Sequence, residues 1–516
     1  MNLVRAFQSI VRHHAPFPAI RDDHRSFTWR EFAERVQRAA GMLAKAGVGP
    51  GDRFAILSRN GFRVEELKWG GHWLGAVPVP VNFRLAPTEI APILDDAQCA
   101  HLFVENPFLA LFEHPALAAR RAGVIAFGNA SGADASAYEA ALAEADPVAA
   151  ADPDPDSDAL LLYTGGTTGR SKGVRLSHTN ILTNAAAFGL GVGARRDQVY
   201  LHAAPMFHSA DLLAMGWFLQ GATQCYLPLF SPTAFLETIR RHRVGAVVTV
   251  PTMLIGTITD PAFAGADLSS LRVLIYGAAP MAAEWILRVA EAFPSVDLLN
   301  CYGLTETAPD LTIFNASEFR AVIAKARATG ERGGPLTSVG KPNILNELKV
   351  VDGQGRERGV GEVGELIARG PNITKGYLGL PEETAKALRG GWLYTGDIAR
   401  IDEAGYVYLL DRAKDLIITG GENVYSSEVE GVLARHPAVQ EAVIIGVPDP
   451  RLGETIMAVI VLRAGATASE DELTRHCRQS LGGYKIPRRY AFVEALPKSA
   501  LGKVLKNTLR QTYAGA

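Results

Sequence analysis

The sequence predicts an α/β fold, with a large N-terminal part and a smaller α+β part at its C-terminal end. From Ala159 onwards, short β-rich runs alternate with amphipathic helical windows, which is typical of βα units around a mostly parallel sheet. Beyond Asp411 the pattern changes to short strands and two helices. The chain has 516 residues, of which 48% are hydrophobic and 21% are charged, enough for several packed units. We expect one domain over residues 1–411 and a second over residues 412–516.

The first 140 residues show the same alternation in a weaker form. We expect a helix over residues 28–46 and strands in RFAILS (53–58) and AVPVPV (76–81). Residues 143–158, AEADPVAAADPDPDSD, contain almost no large apolar side chain, which is typical of a solvated connector. A new structural unit is expected to begin after this connector.

The strands and helices that follow are predicted from the same periodicity. Residues 244–258 form the most apolar window, and because it contains Pro251 we expect a buried strand and a loop there. Residues 315–335 are expected to form a polar surface helix. The expected strands are ALLLY (159–163), QVYLHA (198–203), AVVTV (246–250), RVLIY (272–276), DLLN (297–300), NELKVVDGQG (346–355), GELIARG (364–370), VQEAVIIGVPD (439–449), ETIMAVIVL (454–462) and RRYAFVEAL (488–496). The other expected helices follow Ser177, begin near Asp211, and lie in SSEVEGVLARH (426–436) and EDELTRHCRQS (470–480).

Charge and cysteine content exclude several classes of protein. The 52 Lys and Arg residues nearly balance the 54 Asp and Glu residues, so the chain has no strong positive field to attract a nucleic acid. Its cysteines are too far apart in sequence for a short metal-binding cluster, and we expect reduced thiols. The first residues carry charges and paired histidines, and no apolar run of 18 residues occurs. We therefore expect a cytoplasmic protein without nucleic-acid partners or a transmembrane segment.

A glycine-rich stretch, YTGGTTGRSKGV (163–174), begins at the end of the apolar strand ALLLY. Its glycines free the backbone to wrap an anion, its threonines offer hydroxyl donors, and Lys172 adds a positive charge. The stretch lacks the G-x-x-x-x-G-K-[ST] spacing of a Walker A loop. By itself it fits either a phosphate-binding loop or a flexible strand-to-helix connection. The candidate phosphate-binding residues are Thr164, Gly165, Gly166, Thr167, Thr168, Gly169 and Lys172.

Further motifs follow in a fixed order along some 340 residues. They are APMFH (204–208), YGAAPM (276–281), NCYGLTET (300–307), YTGD (394–397), DRAKDLIITGGENVYSSEVE (411–430) and PKSALGK (497–503). Together with the glycine-rich stretch, this ordered set resembles the adenylate-forming superfamily, which includes acyl-CoA synthetases, luciferases and the adenylation domains of peptide synthetases. The resemblance implies a large adenylate-forming N-terminal domain of several subdomains and a small, mobile α+β C-terminal domain.

The resemblance also implies which residues take part in catalysis. Adenylation joins a carboxylate to the α-phosphorus of ATP, so the site needs cations and hydrogen-bond donors for two anions. Glu306 matches the family's magnesium-binding acid, and Thr305 would contact the α-phosphate. Lys503 matches the lysine that donates to the carboxylate and to the α-phosphate region. His208 would lie at the mouth of the acid pocket, although a structural histidine remains an alternative.

Other residues are implied to bind ATP and CoA. Tyr302 would offer a flat face to adenine, and Asp397 would accept both ribose hydroxyls with help from Arg412. Lys414 occupies the position of the hinge about which the C-terminal domain rotates. The remaining implied ATP-binding residues are Gly277, Ala278, Ala279, Asn300 and Gly303, and the implied CoA-binding residues are Gly420, Gly421, Tyr484 and Arg488. The candidate acid-pocket residues, which are equally suited to a hydrophobic core, are Leu212, Met215, Gly277, Ala278, Pro309, Leu311 and Ile313.

The function that the resemblance implies is acid–CoA ligation with ATP, Mg²⁺ and CoA as cofactors. The mostly apolar pocket candidates fit an acid with a hydrophobic tail, with fatty acids first and aromatic acids of the benzoate or cinnamate type second. An enzyme that loads a separate carrier protein stays open as an alternative. A nucleotide-binding regulator without catalysis is a third interpretation, and the joint presence of Lys172, Glu306, Asp397, Arg412 and Lys503 argues against it. Analogy with relatives also leaves a homodimer open.

Overall fold

The computed structural model of the chain describes residues 1–23, 25–128, 136–164, 171–498 and 504–513. The first part of the chain forms α1 (Leu3–His14), β1 (Pro18–Arg21), β2 (Ser26–Thr28), α2 (Trp29–Lys45), β3 (Arg53–Leu57), α3 (Phe62–Leu74), β4 (Val77–Val81), α4 (Pro87–Asp96), β5 (His101–Glu105), α5 (Pro115–Ala118), β6 (Val124–Phe127), α6 (Ser136–Ala143) and β7 (Asp158–Thr164).

The middle of the chain continues the alternation of strands and helices. It forms β8 (Lys172–Ser177), α7 (His178–Val192), β9 (Val199–His202), α8 (Met215–Phe218), β10 (Thr223–Tyr226), α9 (Pro232–His242), β11 (Ala246–Thr249), α10 (Pro251–Thr259), β12 (Val273–Tyr276), α11 (Ala283–Ala292), β13 (Asp297–Tyr302), β14 (Thr312–Ile313), α12 (Ala316–Thr329) and β15 (Lys341–Pro342).

The remaining elements are richer in strands. They are β16 (Glu347–Val351), β17 (Gly364–Arg369), α13 (Pro381–Ala387), β18 (Leu388–Arg389), β19 (Trp392–Ile401), β20 (Val407–Arg412), β21 (Ile417–Thr419), β22 (Glu422–Val424), α14 (Ser426–Leu433), β23 (Val439–Asp449), β24 (Gly453–Leu462), α15 (Glu470–Arg478), β25 (Arg489–Phe492) and α16 (Lys506–Tyr513).

Two largely parallel sheets organise the N-terminal part. The larger sheet has the strand order β15-β14-β13-β12-β11-β9-β10-β1-β2, and its central pairs from β1 to β13 are all parallel. The smaller sheet, with the order β4-β3-β5-β6, is parallel throughout. The predicted α/β class is therefore confirmed. Because neighbouring parallel strands end at the same edge of a sheet, the segments after β12 and β13 lie side by side.

The connector at residues 143–158 does not separate two hydrophobic cores, which differs from the expected start of a new unit. Phe7 from α1 stacks on Trp69 from α3 at 4.9 Å between ring centroids, and Trp69 stacks on Phe218 from α8 at 4.7 Å. All three side chains belong to one buried cluster that includes residues before and after the connector. Apolar burial therefore joins the two segments into one unit.

Three local predictions differ from the structure. The strand ALLLY lies in β7, which pairs antiparallel with β8 in a two-stranded sheet and not in the parallel sheet. The helix expected near Asp211 is a short 3₁₀ helix, Ser209–Ala214, followed by the four residues of α8. The loop expected at Pro251 is the helix α10, in which proline takes the first position, where no backbone donor is needed.

The C-terminal part is built on a sheet with helices on both faces. The sheet has the order β22-β21-β24-β23, and β25 pairs parallel with β24. Helices α14 and α15 cover one face through Val429 and Leu473, and α16 contributes Leu509 to the other face. The three strands and two helices predicted for this part are confirmed, and β21, β22 and α16 are additional elements. It connects to the N-terminal part at the end of β20, where the amide of Ser426 donates to Asp411 Oδ2 at 2.6 Å.

Two expectations from composition can be compared with the described residues. Cys99, Cys225, Cys301 and Cys477 are all buried and free, so the predicted thiols are confirmed. Within the ranges given above, no helix combines the length and the apolar character needed to cross a bilayer.

Candidate active site

The turn after β13 carries the first group of candidate residues. A Cβ atom at Gly303 would lie 1.7 Å from the carbonyl oxygen of Pro309, so only glycine lets the chain fold back this closely. The chain then forms a one-turn 3₁₀ helix, Thr305–Thr307, whose start is capped by a bond from the Leu304 amide to Thr307 Oγ1 at 3.0 Å. We call residues 303–310 the Glu306 loop.

Two neighbouring segments hold the Glu306 loop in place. Glu306 Oε1 accepts a hydrogen bond from Tyr377 Oη at 2.9 Å, and the Glu306 carbonyl accepts from the Thr374 amide at 2.8 Å. Burial and the nearby carboxylate of Glu306 raise the pKa of Tyr377. On the other side, Thr305 Oγ1 donates to Ser209 Oγ at 3.1 Å. The Glu306 carboxylate is therefore anchored through one oxygen among hydroxyl groups, a donor set that fits Mg²⁺.

A second group forms around Asp397, at the junction with the C-terminal part. Asp397 and Arg412 are directly opposite in the β19–β20 pair, and Arg412 Nε lies 2.8 Å from Asp397 Oδ1. Tyr302, the last residue of β13, donates its hydroxyl to Asp397 Oδ2. Burial and this carboxylate raise the pKa of Tyr302 well above its usual value. The structure thus brings together three residues that the sequence places up to 110 positions apart.

The adenine-site candidates lie at the ends of neighbouring strands. Tyr276 and Asn300 are partners in the β12–β13 pair, so Gly277 lies beside Cys301. A Cβ atom at Gly277 would be 2.7 Å from the Cys301 carbonyl oxygen, which explains the glycine. Ala278 is exposed, with a positive φ of 66°, and Ala279 is half-buried. Asn300 donates its side-chain amide to the Ser338 carbonyl at 3.2 Å, a structural contact.

Lys172 lies at the start of β8, opposite Thr164 in the β7–β8 pair. Its Nζ atom lies 2.5 Å from Glu383 Oε2 and 5.0 Å from the centre of the Tyr377 ring. The hydrogen bond from Lys172, with a second from Lys386, lowers the pKa of Glu383 to about 2. Tyr377 therefore touches both Lys172 and Glu306. Six candidate residues lie outside the described residues: Gly165, Gly166, Thr167, Thr168, Gly169 and Lys503.

His208 lies next to the site in a capping position. It precedes the 3₁₀ helix Ser209–Ala214, and its Nδ1 atom accepts a hydrogen bond from the Ala210 amide at 3.4 Å. The following residue, Ser209, contacts Thr305, so the helix begins at the Glu306 loop. Among the acid-pocket candidates, Leu311 is fully buried in a core cluster with Val350 and Leu366, and Leu212 and Met215 belong to another core cluster, which fits the alternative that these residues are core.

The CoA-site candidates lie on the surface of the C-terminal part. Gly420 and Gly421 form the tight turn between β21 and β22, with φ of 59° and 86°, which requires glycine-like freedom. Tyr484 and Arg488 are exposed. Lys414 is exposed just after β20. No hydrogen bond or ion pair between described residues joins any of these five to the Glu306 loop.

The chain matches two protein-family models over most of its length. The model of the AMP-binding enzyme family matches residues 7–378, and the model of the AMP-binding enzyme C-terminal domain matches residues 428–503. The chain belongs to the AMP-binding enzyme family. The recognised resemblance is therefore confirmed, and with it the adenylate-forming fold.

Several relatives of this AMP-binding enzyme match over nearly their whole length. A feruloyl-CoA synthase from Amycolatopsis is 36% identical over 501 residues, which are 96% of each chain. A fatty acid–[acyl-carrier-protein] ligase from Streptomyces coeruleorubidus is 34% identical over 518 residues, 99% of this chain and 96% of the relative. The ATP-bound crystal structure of MatB from Rhodopseudomonas palustris has a TM-score of 0.88 at 30% identity and covers 100% and 99% of the two chains.

These matches confirm the class of enzyme that the motifs imply. The chain is an acid–thiol ligase of the acyl- and aryl-CoA ligase type, and its cofactors are ATP, Mg²⁺ and CoA. The alternative of a nucleotide-binding regulator without catalysis, against which the sequence already argued, has no support from these matches, because the named relatives are ligases. The expected homodimer stays a prediction.

Sequence reasoning missed several residues that hold the site of this AMP-binding enzyme. Ser209, Thr374, Tyr377 and Glu383 all contact candidate residues, yet none was singled out by the motifs. The last three lie between NCYGLTET and YTGD, where only the Gly376–Tyr377 pair offered a weak signal of a close backbone approach. A Cβ atom at Gly376 would indeed lie 2.3 Å from Thr384 Cγ2.

Asp310, also missed, fixes the end of the Glu306 loop. Its carbonyl oxygen accepts hydrogen bonds from the side-chain amides of Asn343, Asn346 and Asn372 at 2.8–3.3 Å. Its amide donates to Asn184 Oδ1 at 3.0 Å. The side chain is buried, and this burial raises the pKa of Asp310 to about 8. A neutral carboxyl group therefore lies four residues after Glu306 at neutral pH.

Replacing Asp310 with Asn is expected to make stability less dependent on pH. Because the pKa of Asp310 is raised in the folded state, the contribution of Asp310 to the free energy of unfolding falls as the pH rises from about 4 to about 8. Asn does not ionise, so the free energy of unfolding of the variant should rise by about 4 kcal/mol relative to that of wild type between pH 5 and pH 8. Urea midpoints at both values measure the gain, with the exposed Asp471→Asn as control. A constant difference between wild type and Asp310→Asn would contradict the prediction.

Proposed function

We propose that the chain converts a hydrophobic carboxylic acid, ATP and CoA into acyl-CoA, AMP and pyrophosphate. The observation that carries the proposal is the arrangement at the end of β13. Tyr302 donates a hydrogen bond to Asp397, which pairs with Arg412. In the Glu306 loop that follows, Glu306 accepts from Tyr377, whose ring lies next to Lys172. The end of β13 therefore lies between Asp397, whose carboxylate would accept the ribose hydroxyls, and a group of side chains suited to binding phosphates.

In the first step, a carboxylate oxygen of the acid attacks the α-phosphorus, and the bond to pyrophosphate breaks. Thr305 would donate to the α-phosphate, and Lys172 would leave Glu383 for a phosphate oxygen. Lys503 would reduce the repulsion between the two reacting anions. Glu306 would hold Mg²⁺, which neutralises charge on the phosphates. The remaining phosphate contacts would come from Thr164 and the loop residues Gly165, Gly166, Thr167, Thr168 and Gly169.

Nucleotide binding would use the residues at the strand ends. Tyr302 would support the adenine ring, and Asp397 would accept the ribose hydroxyls while Arg412 holds its carboxylate. The small residues Gly277, Ala278, Ala279 and Gly303 would let the base approach the backbone, and Asn300 would line the same end of the strands.

In the second step, the CoA thiolate attacks the acyl carbonyl carbon, and AMP leaves. We propose that residues 412–516 form a domain that turns about Lys414 between the two steps. Gly420 and Gly421 would then let the pantetheine arm reach the acyl-adenylate, because a turn without side chains leaves room for it. Tyr484 and Arg488 would hold the CoA nucleotide. His208 would lie near the acid carboxylate.

Two classes of acid are proposed, and a carrier protein is kept as an alternative acceptor. Fatty acids are the first candidate because the ordered set of motifs favours them, and a relative is named as a fatty acid ligase. Aromatic acids are the second candidate, and a relative is named as a feruloyl-CoA synthase. The name of that same relative gives an acyl-carrier protein as the acceptor, which supports the alternative.

Product analysis tests these proposals together. Fatty and aromatic acids are incubated with ATP, Mg²⁺ and either CoA or a carrier protein bearing phosphopantetheine, and the products are identified by mass spectrometry. One class of acyl-CoA is the expected result. Acyl-AMP that transfers to the carrier but not to CoA would support the alternative. Absence of both acyl-AMP and thioester with every acid would overturn the proposed function.

Asp397→Asn is expected to weaken ATP binding more than acid binding. The amide keeps the shape of the side chain but loses the charge that pairs with Arg412 and one of two acceptor oxygens. A hydrogen bond to a charged group is worth about 1.5–3 kcal/mol, so the KM for ATP should rise about 10- to 100-fold. Steady-state kinetics with each substrate varied measures this, and the exposed Glu403→Gln on the β19–β20 turn is the control. An equal rise in both KM values would contradict the assignment.

A further inference from the structure

Lys172 and Glu383 form an ion pair beside the Glu306 loop. Lys172 Nζ lies 2.5 Å from Glu383 Oε2, and the two side chains are 20% and 32% exposed. The same ammonium group lies 5.0 Å from the centre of the Tyr377 ring, whose hydroxyl donates to Glu306. The proposed reaction needs the positive charge of Lys172 for a phosphate and gives no role to Glu383, which neutralises that charge.

The backbone fixes the distance between these two side chains. The carbonyl oxygen of Gly173 accepts from the Leu378 amide at 2.8 Å, which pairs the start of β8 with the segment before α13. In that segment, the Tyr377 amide donates to Thr384 Oγ1 at 2.9 Å. Thr384 follows Glu383 on α13. The two charged groups are therefore brought together by anchored backbone, and not only by the flexibility of two long side chains.

Glu383 also has a second cation. Lys386, one turn later on α13, lies 2.8 Å from Glu383 Oε1, so each carboxylate oxygen has its own ammonium group. The hydrogen bonds from Lys172 and Lys386 lower the pKa of Glu383 to about 2, so this carboxylate is ionised at neutral pH. If Lys172 moves to another anion, Glu383 keeps Lys386 and is not left unpaired. Among the described residues, Glu383 is the one carboxylate bonded to Lys172.

A carboxylate beside Lys172 weakens the attraction of that ammonium group for a phosphate. The two charges of an ion pair largely cancel for a third charged group, so a phosphate oxygen has to replace Glu383 before it meets a full positive charge. Glu383 makes the same kind of charge-assisted hydrogen bond that a phosphate oxygen would make. An exchange of one anion for the other therefore keeps Lys172 paired before and after ATP binds.

We propose that Glu383 competes with the phosphates for Lys172 and thereby limits how tightly the enzyme holds ATP and pyrophosphate. The inference rests on the proposed function and adds a positioning residue to it. Before ATP binds, Glu383 holds Lys172 beside Tyr377. Lys172 then moves to a phosphate oxygen, and it returns to Glu383 as pyrophosphate leaves. Because Glu383 replaces the phosphate contact, pyrophosphate dissociates faster than it would from an ammonium group without a competitor.

Glu383→Gln tests the proposal through the affinity for a non-hydrolysable ATP analogue, measured by calorimetry with Mg²⁺ present. Gln keeps the length of the side chain and removes the competing charge. The dissociation constant should fall about fivefold, which corresponds to the loss of a partly exposed ion pair. The matched control is the exposed Glu382→Gln, which removes the same charge one residue away and should change the constant less than about twofold. An unchanged or higher dissociation constant in Glu383→Gln would overturn the proposal, because a residue that only orients Lys172 weakens binding when it is lost.

Steady-state kinetics of the same variant gives a readout that a merely structural role would not move. The KM for ATP and the inhibition constant of pyrophosphate should both fall about fivefold in Glu383→Gln. The KM values for the acid and for CoA should stay within about twofold of wild type. Equal changes in all three KM values would overturn the assignment.

The effect of Glu383→Gln should also require Lys172. In a Lys172→Met background, Glu383→Gln should change the affinity for the ATP analogue less than about twofold, because the competitor has lost its target. A fivefold gain that persists there would mean that Glu383 acts on ATP without Lys172, against the proposal. If Lys172→Met binds the analogue too weakly to measure, the crystal structure of the wild-type complex replaces this step. Lys172 on a phosphate oxygen is the expected result, and Lys172 Nζ still within about 4 Å of Glu383 is the contrary one.

Binding measurements separate this proposal from the proposed function, because calorimetry with the ATP analogue needs no turnover. If Glu383→Gln binds the analogue more tightly but no acid yields acyl-AMP or thioester, the proposed function fails and the competition stands. If thioester forms and the affinity for the analogue is the same in wild type and Glu383→Gln, the competition fails and the proposed function stands.

Discussion

Glu306→Gln is expected to lower the rate of pyrophosphate release by about 100- to 1,000-fold. The amide oxygen of Gln can still accept from Tyr377 Oη, so the Glu306 loop should keep its position. What is lost is the negative charge that would hold Mg²⁺ among the phosphates. The loss should therefore appear in the adenylation rate and in the Mg²⁺ dependence, and not in the unfolding temperature.

Pyrophosphate release measured across a Mg²⁺ titration checks this result. The expected variant is slow at every concentration and needs more Mg²⁺ to reach half of its own maximum rate. Glu382→Gln, an exposed glutamate on α13, is the matched control and should behave as wild type. A Glu306→Gln rate within threefold of wild type throughout the titration would remove Glu306 from the proposed metal site.

Lys503→Ala is expected to slow adenylation by about 100- to 1,000-fold and to leave thioester formation from a supplied acyl-adenylate nearly unchanged. The first step brings two anions together, and a fixed ammonium group offsets their repulsion. The second step starts from an acyl-adenylate in which that repulsion is already gone. The two steps should therefore respond differently to the same substitution.

Isotope exchange between pyrophosphate and ATP measures the first step, and acyl-CoA formed from synthetic acyl-adenylate measures the second. Lys498→Ala is the matched control, because Lys498 lies five residues earlier and pairs with Glu441 at 2.6 Å on the surface. It should leave both steps unchanged. Equal loss of both steps in Lys503→Ala would instead indicate a damaged C-terminal part.

Much of the fold follows from local sequence patterns. The helix expected over residues 28–46 is α2, whose start is fixed by a capping box between Thr28 and Glu31. The strand VQEAVIIGVPD is β23 residue for residue, because its side chains alternate between two buried faces of one sheet. Patterns of this kind involve neighbouring residues, so they can be predicted without knowing what packs against them.

The errors arose where burial came from distant parts of the chain. The connector at residues 143–158 is polar, but Phe7, Trp69 and Phe218 stack across the two segments that it joins. The strand ALLLY is expected in the parallel sheet, yet it pairs with β8 in a two-stranded sheet. Composition describes a segment alone, whereas the area that it buries depends on its partners.

The sequence by itself determined the family and the enzyme class and named candidate site residues, because each motif is a short run whose chemistry lies within a few residues. Only the tertiary structure decided which of these residues meet. Glu306 meets Tyr377, Lys172 meets Glu383, and Lys68 meets Asp211 at a separation of 143 residues. Such pairs depend on strand register and helix packing, which bring distant residues within hydrogen-bond distance and leave no periodic trace in the sequence.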